Sequence, residues 1–517
     1  MYQKTYSTSL KGLSGSLLEI ECSITGGLPQ FSLIGLSTQA AAASRERIRS
    51  ALKQLGHSFP ASHISVNIHA CDVRSTDISE SVSWLDLPIA LCILACQGMI
   101  PREPLGSGVW LGELSLAGEL QPLYGALTMA RSLISHDWSG VQKEGETPLL
   151  FLPAVNAPEA ALCSGIRALG LTSLAQAVDV ACRRTDLSPA EPLRRVSREL
   201  PSLFDKVSGQ GIGKRVITLA AAGMHNLLMI GPPGCGKTML AQTLPALLPE
   251  LTYEEQIQVT EIYSCRQMLE DPDTLVSNRP FRAPHHSISM PALIGGGRIP
   301  MPGEVSLAHR GVLFLDEFPE LTRMSLESLR EPLESHQVKI SRVHSSYTFP
   351  ADFLLLAGMN PCPCGYYPDK TKCHCREKAV RDYYGKIDSP LLDRMDLILR
   401  MESVKAGDID RSVGLTQQEA VAMVKRAHDI QKERFNSAAV FNSRMDAEDI
   451  SRFCPLSSED KKFLTGAVDH FGLSMRAYHK VLRVARTIAD MEGSGEIRRP
   501  HLLEALQYRV TRFTPEE

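Results

Sequence analysis

Residues 231–238 read GPPGCGKT, with an apolar run, HNLLMI, before them and a helix-forming run, TMLAQTLPALL, overlapping their end. This fits G-x-x-x-x-G-K-[ST], a pattern in which each residue type has a physical task. Gly231, Pro232, Pro233, Gly234, Cys235 and Gly236 would form a tight loop whose backbone N–H groups converge on phosphate oxygens. Lys237 would reach the β- and γ-phosphates of ATP, and Thr238 would ligate Mg2+. Downstream, the apolar run Val312–Leu315 ends in Asp316–Glu317. An aspartate there can hold Mg2+ through water, and the glutamate can orient or deprotonate an attacking water. An isolated Asp-Glu pair after a strand is more often a helix cap; after a P-loop, at this distance, it reads as hydrolytic. A third apolar run ends at Asn360, which suits a place between metal-bound water and the γ-phosphate. Together these residues predict an ATPase.

A different chemistry is suggested by CPCGYYPDKTKCHC. Cys362, Cys364, Cys373 and Cys375 place four thiols within a short stretch, which in a reducing compartment suggests tetrahedral Zn2+, with His374 as a substitute ligand. The C-x-C spacing is tighter than the usual C-x2-4-C. A redox-sensitive cluster, or a loop that keeps cysteines for shape, are the alternatives.

The elements that must hold these groups follow from apolar patterning. HNLLMIGPPG, GVLFLDE and DFLLLAGMNP are uninterrupted apolar runs ending in loaded turns, as parallel strands buried on both faces require. The N-terminal segment alternates strand-like runs (Leu17–Ile24, HISVNIHA, GVWLGELSLAGEL) with helical ones (Ala40–Leu55, Pro88–Cys96), an α+β or α/β unit. DLSPAEPLRRVSRELP carries three prolines and no periodicity and reads as a linker, while the segment after Glu402 turns helix-periodic. The expected division is residues 1–185, a linker at 186–203, an ATPase core at 204–402 and a helical lid at 403–517.

With 517 residues, 43% hydrophobic and 22% charged, the chain has ample core for about three domains. A formal net charge of −3 excludes nucleic-acid binding through bulk charge but leaves room for a local basic track. MYQKTYSTSL has no apolar signal-peptide core, and the longest apolar stretch, Leu87–Cys96, is far short of the ~20 residues that span a bilayer. A cytoplasmic protein with no membrane partner is expected.

In their order along the chain, GPPGCGKT, LFLDE, GMNP, SPLLDRMDL and SMRAYHKVLRVART resemble the Walker A, Walker B, sensor 1, arginine-finger and sensor 2 motifs of the magnesium-chelatase-like branch of AAA+ ATPases. With the N-terminal segment included, the chain is similar throughout to the ComM/YifB family. The resemblance implies an α/β fold. Its parts are an N-terminal Lon-protease-like (ribosomal S5 domain 2-like) α+β domain, a P-loop parallel-sheet core with a helix-2 insert and a pre-sensor-1 hairpin, and a C-terminal helical lid. It makes Arg394 the arginine finger and Arg476 sensor 2, acting either in cis or across a subunit interface, and so implies a nucleotide-promoted homo-hexamer. SNRPFRAPHHSISMPALIGGGRIPMPGEVSLAHRG would be the insert, and the alternating Gln337–Val343 with its return strand would be the hairpin. Lys339, Arg342 and His344, on or near the hairpin tip, and Arg298 in the insert loop would contact branched or single-stranded DNA in a central pore.

A Lon-type protease needs a serine nucleophile activated by lysine. The equivalent positions here hold Trp84 and Leu127, with Ser81 and Ser83 nearby but no lysine in place. The turn RSTDISESVSW also departs from the family, which has a glycine-rich, basic turn there. The N-terminal domain is therefore read as an assembly or DNA-engaging module. The leading expectation is an ATP-driven branch-migration or helicase motor acting in homologous recombination of DNA taken up by natural transformation. A chelatase-type motor subunit for metal insertion is the alternative, and a Lon-like protease ranks below both.

Overall fold

The computed structural model describes residues 1–71, 83–134, 147–196, 202–269, 274–297, 299–342, 346–403 and 414–509. Ser81, Arg298, His344 and most of the RSTDISESVSW turn lie outside these residues.

The N-terminal unit is a seven-stranded sheet in the order Gln30–Ile34, His63–Ala70, Ser14–Thr25, Tyr2–Lys11, Gly108–Trp110, Leu149–Pro153 and Arg167–Leu171. Ser14–Thr25 is antiparallel to both neighbours, while Tyr2–Lys11 onward to Arg167–Leu171 the pairs run parallel. The helix Asp86–Cys96 has no polar stripe, and all its residues are buried. Burying each of its Leu and Ile side chains stabilises the fold by about 1.5–3 kcal/mol. GVWLGELSLAGEL, expected as one strand, breaks after Trp110. Glu113–Leu114 and Leu120–Gln121 instead pair with each other around a turn closed by Ser115 N–H to Glu119 O (2.8 Å).

The central sheet has five parallel strands, ordered Phe281–Arg282, Val312–Leu315, Leu354–Met359, Leu227–Ile230 and Leu397–Arg400. The middle three are fully buried, which their unbroken apolar sequences require. Helices Gln417–Phe435, Ala447–Phe453, Ser458–Phe471, Met475–Glu492 and Arg499–Gln507 follow. Met475–Glu492 starts at a Ser474 cap and stops at Gly493, whose φ of 70° ends the helix. Its Val481, Val484 and Ile488 share a core with Leu227, Leu397 and the helix Gly211–Gly223, so these C-terminal helices and the sheet pack as one. Buried Lys480 pins that contact by pairing with Asp396 (3.0 Å).

The proline-rich stretch is tied down as far as it is described. Ala190 N–H donates to Ala168 O, Leu193 is buried, and Arg194 O accepts from Leu275 N–H (3.0 Å). The N-terminal unit also meets the core through Arg131–Glu261 (2.7 Å) and a Ser264–Glu159 hydrogen bond.

Candidate active site

Parallel strands deliver their following turns to one edge. Ile230 pairs with Met359, Leu315 with Ala357, and Arg282 with Leu313. The P-loop, Asp316–Glu317, Asn360 and the segment after Arg282 therefore emerge together. Gly234 and Gly236 have φ of 75° and 95°, left-handed values that a side chain would strain, and the helix Lys237–Thr243 starts directly behind them.

The Lys237 ammonium donates to Gly231 O (2.7 Å), Pro232 O (3.2 Å) and Asn360 Oδ1 (3.1 Å). Thr238 Oγ1 donates to Asp316 Oδ2 (2.9 Å), so the two groups suited to share a magnesium ion touch. Glu317 follows in a left-handed conformation (φ 49°), its N–H on Asp316 Oδ1 (2.9 Å). The Cys235 thiol is buried, which pushes its pKa up, and the Cys235 carbonyl is clipped by Gln210 Nε2 (3.0 Å).

Two neighbours of this site escaped the sequence reading. Gln210 also donates to Glu402 O (3.0 Å), fastening the P-loop to the end of the outer strand. His286 Nδ1 lies 2.6 Å from Glu317 Oε2. A signal existed: His285–His286 follow the strand Phe281–Arg282 that flanks Val312–Leu315, so they leave the sheet at its loaded edge.

Arg394 and Arg476 are brought together, but away from the P-loop. Both line a cavity of about 700 Å3 with His336, Arg444, Lys480 and Arg483, and no P-loop residue lines it. Arg394 pairs with Glu334 and donates to Pro390 O (2.6 Å), leaving its Nε buried without a partner. The nearby acids Asp393 and Asp396 are taken by Arg509 (3.7 Å) and Lys480.

Gln337–Ser341 and Ser346–Pro350 pair as an antiparallel hairpin, with Val338 facing Phe349 in the core and Lys339 exposed beside Thr348. Lys339 thus sits within the first strand and not at the tip. Arg342 lies just beyond the strand and donates to Gly297 O (2.7 Å), joining hairpin to glycine-rich insert.

The sulfurs of Cys362, Cys364, Cys373 and Cys375 lie within 4.8 Å of one another, while His374 is exposed and outside the group. Burial opposes ionisation of Cys364, but the Tyr366 N–H and the Cys362 thiol outweigh it and lower the thiol to about 6. Cys373 is raised to about 12 by burial and by the neighbouring sulfurs. One thiolate is favoured and its charge opposes the next; a bound dication would ionise the set. In the N-terminal unit Trp84 and Leu127 are buried, and Ser83 Oγ donates to Glu113 Oε2 (2.5 Å).

A five-stranded parallel sheet with the GPPGCGKT turn, a carboxylate-bearing neighbour strand and C-terminal helices is consistent with a magnesium-chelatase-like AAA+ fold. Residues 203–409 match the family described as magnesium chelatase, subunit ChlI; 414–509 match its C-terminal family, and 20–142 a further ChlI family. The chain is 38% identical to competence protein ComM of Haemophilus influenzae over 515 residues, 98% of this chain and 97% of that one. It is 38% identical to the protein YifB of Escherichia coli, over 96% and 95% of the two chains. The magnesium-chelatase 38 kDa subunit of Rhodobacter capsulatus is 24% identical over 60% of this chain and 88% of its own. The chain belongs to the ComM/YifB family. Among the described residues no helix is long and apolar enough to cross a membrane.

Proposed function

We propose that this chain is an ATP-driven DNA motor that promotes branch migration or unwinding during homologous recombination, in keeping with its competence-protein relative. The observation that carries the ATPase half is the meeting of Lys237, Thr238, Asp316 and Asn360 at one sheet edge. Bound Mg2+ would neutralise phosphate charge there, held by Thr238 and Asp316. Lys237 exchanges its loop carbonyls for phosphate oxygens, and Asn360, its present partner, orients the water that Glu317 deprotonates. The cysteine cluster is read as a zinc site.

Arg394 and Arg476 open into a cavity apart from their own P-loop, which supports supply of both to a neighbouring subunit. A ring completes each site in this way, and a hexamer is the assembly proposed. Lys339 and Arg342 meet DNA in its channel, and Arg298 and His344, named with them from sequence, lie outside the described residues; a few such cations per subunit let a chain of net charge −3 grip a polyanion. The chelatase relative favours a second reading, a motor subunit for metal insertion, but that relative matches only 60% of this chain.

ATPase rate with and without single-stranded and branched DNA, run beside a mass measurement with nucleotide, separates the two. DNA stimulation and a six-subunit mass are expected. A DNA-indifferent ATPase that needs a protein partner would overturn the motor reading, as would junction migration by Glu317→Gln with ATP.

A further inference from the structure

The cysteine cluster follows the nucleotide site along the chain by two residues and touches it in space. The strand Leu354–Met359 ends at Asn360, which holds Lys237, and Cys362 comes next but one, wholly buried. Sulfur separations are 3.3 Å for Cys362–Cys364, 3.7 Å for Cys362–Cys373 and 3.6 Å for Cys364–Cys373. Tetrahedral zinc with Zn–S bonds of about 2.3 Å needs sulfurs ~3.8 Å apart. The set is therefore at metal-binding separation already, despite its C-x-C spacing. Tyr367 N–H points at Cys362 Sγ (3.4 Å), an outer contact that favours thiolate.

Between the two cysteine pairs, Gly365 turns with φ 87°, its N–H on Cys362 O (2.9 Å). A Cβ at this position would stand 2.6 Å from Cδ and 2.8 Å from Cγ of Pro233, the third residue of the P-loop. After Cys375 the chain enters the helix Glu377–Tyr384, whose Tyr383 packs with Cys362 in the same core. The loop from Asn360 to Cys375 thus lies between Pro233 and that helix, with its four sulfurs gathered within 4.8 Å of one another.

We infer that zinc held by Cys362, Cys364, Cys373 and Cys375 braces the P-loop through the Gly365–Pro233 contact and so sets nucleotide affinity. The inference rests on reading residues 231–238 as the ATP site. Without the metal the loop loses its cross-link, Pro233 loses its backstop, and Asn360 and Lys237 lose their fixed spacing.

The test uses the full-length chain, zinc content by mass spectrometry, and binding of a fluorescent ATP analogue. About one zinc per chain is expected. Cys364→Ser/Cys373→Ser should lose the metal and weaken analogue binding about tenfold or more, the scale seen when supports of a metal site are removed. Gly365→Ala keeps all four thiols and should keep zinc, yet weaken the analogue by pressing on Pro233. Absence of zinc from the wild-type chain overturns the inference. So does zinc-loaded wild type whose affinity for the analogue is unchanged in both variants. Wild-type chain that fails to bind the analogue at all overturns the ATPase reading itself, a distinct result.

Discussion

His286 Nδ1 stands 2.6 Å from Glu317 Oε2, so the carboxylate proposed to activate water is held by a residue of the segment proposed to carry the insert. His286 leaves the sheet only a few residues before the helix Met290–Ile294, and the insert that follows is joined to the hairpin by Arg342. The glutamate is therefore linked by two contacts to the elements proposed to meet DNA. Replacing Glu317 with Gln should cost ~10²–10⁴ in kcat, the usual worth of a general base. His286→Ala should cost less, about tenfold, with nucleotide binding unchanged, because it disturbs only the orientation of Glu317. The double variant should be no slower than Glu317→Gln alone, since the two act as a unit. Steady-state kinetics of the three variants checks this, and additive losses would refute it.

Arg394 and Lys237 belong to different sites if the arginine serves a neighbour. Arg394→Ala and Lys237→Ala chains should each be nearly inactive, the arginine variant by ~10³-fold or more. Mixed together, they should recover activity, because an intact P-loop from one then faces an intact arginine from the other. Failure of mixed rings to exceed either parent would place Arg394 in its own site.

Lys339 and Arg342 should matter only when DNA is present. Lys339→Ala/Arg342→Ala is expected to keep basal ATPase and lose most of its DNA stimulation. Each lost phosphate contact should also flatten the dependence of log K on log salt by roughly one. Fluorescence anisotropy across a salt series measures the slope, and an unchanged slope removes these residues from the DNA path.

Asp396 and Lys480 make a pH-dependent fastening between sheet and lid. Burial pushes the Asp396 carboxyl up, but the Lys480 ammonium and His225 more than reverse this and hold it well below its ordinary value of 3.8. Lys480 is lowered by burial, which Asp396 partly offsets. A lowered carboxyl contributes stability in full above its unfolded value and loses it as pH falls below that value. Asp396→Asn leaves a buried ammonium without its partner and should destabilise by about 3–5 kcal/mol near neutrality. Thermal melts should show the gap between wild type and variant beginning to narrow below about pH 5 and still narrowing at the lowest pH at which the chain stays folded.

The sheet and its P-loop were legible because each strand is a short apolar run ending in residues with no structural reason to be there. GPPGCGKT and the Asp316–Glu317 turn also carry their chemistry in local spacing, and backbone geometry does the rest. The strand GVWLGELSLAGEL was misread because a ribbon between Glu113 and Gln121 needs a pairing that alternation cannot announce. The first hairpin strand was read as far as Val343, but its pairing ends at Ser341 opposite Ser346, an end point that depends on the partner register and leaves Lys339 inside the strand.

Sequence by itself determined the family, the Gly231–Thr238 turn, the Asp316–Glu317 pair and the four thiols, since all depend on residue type over short stretches. Only the tertiary structure decided that Lys237 holds Asn360, that His286 holds Glu317, that Arg394 and Arg476 line one cavity that no P-loop residue lines, and that Gly365 leans on Pro233. Each of these joins residues many positions apart, and such contacts are set by how strands are ordered in a sheet and how loops pack upon it. No local pattern encodes that order.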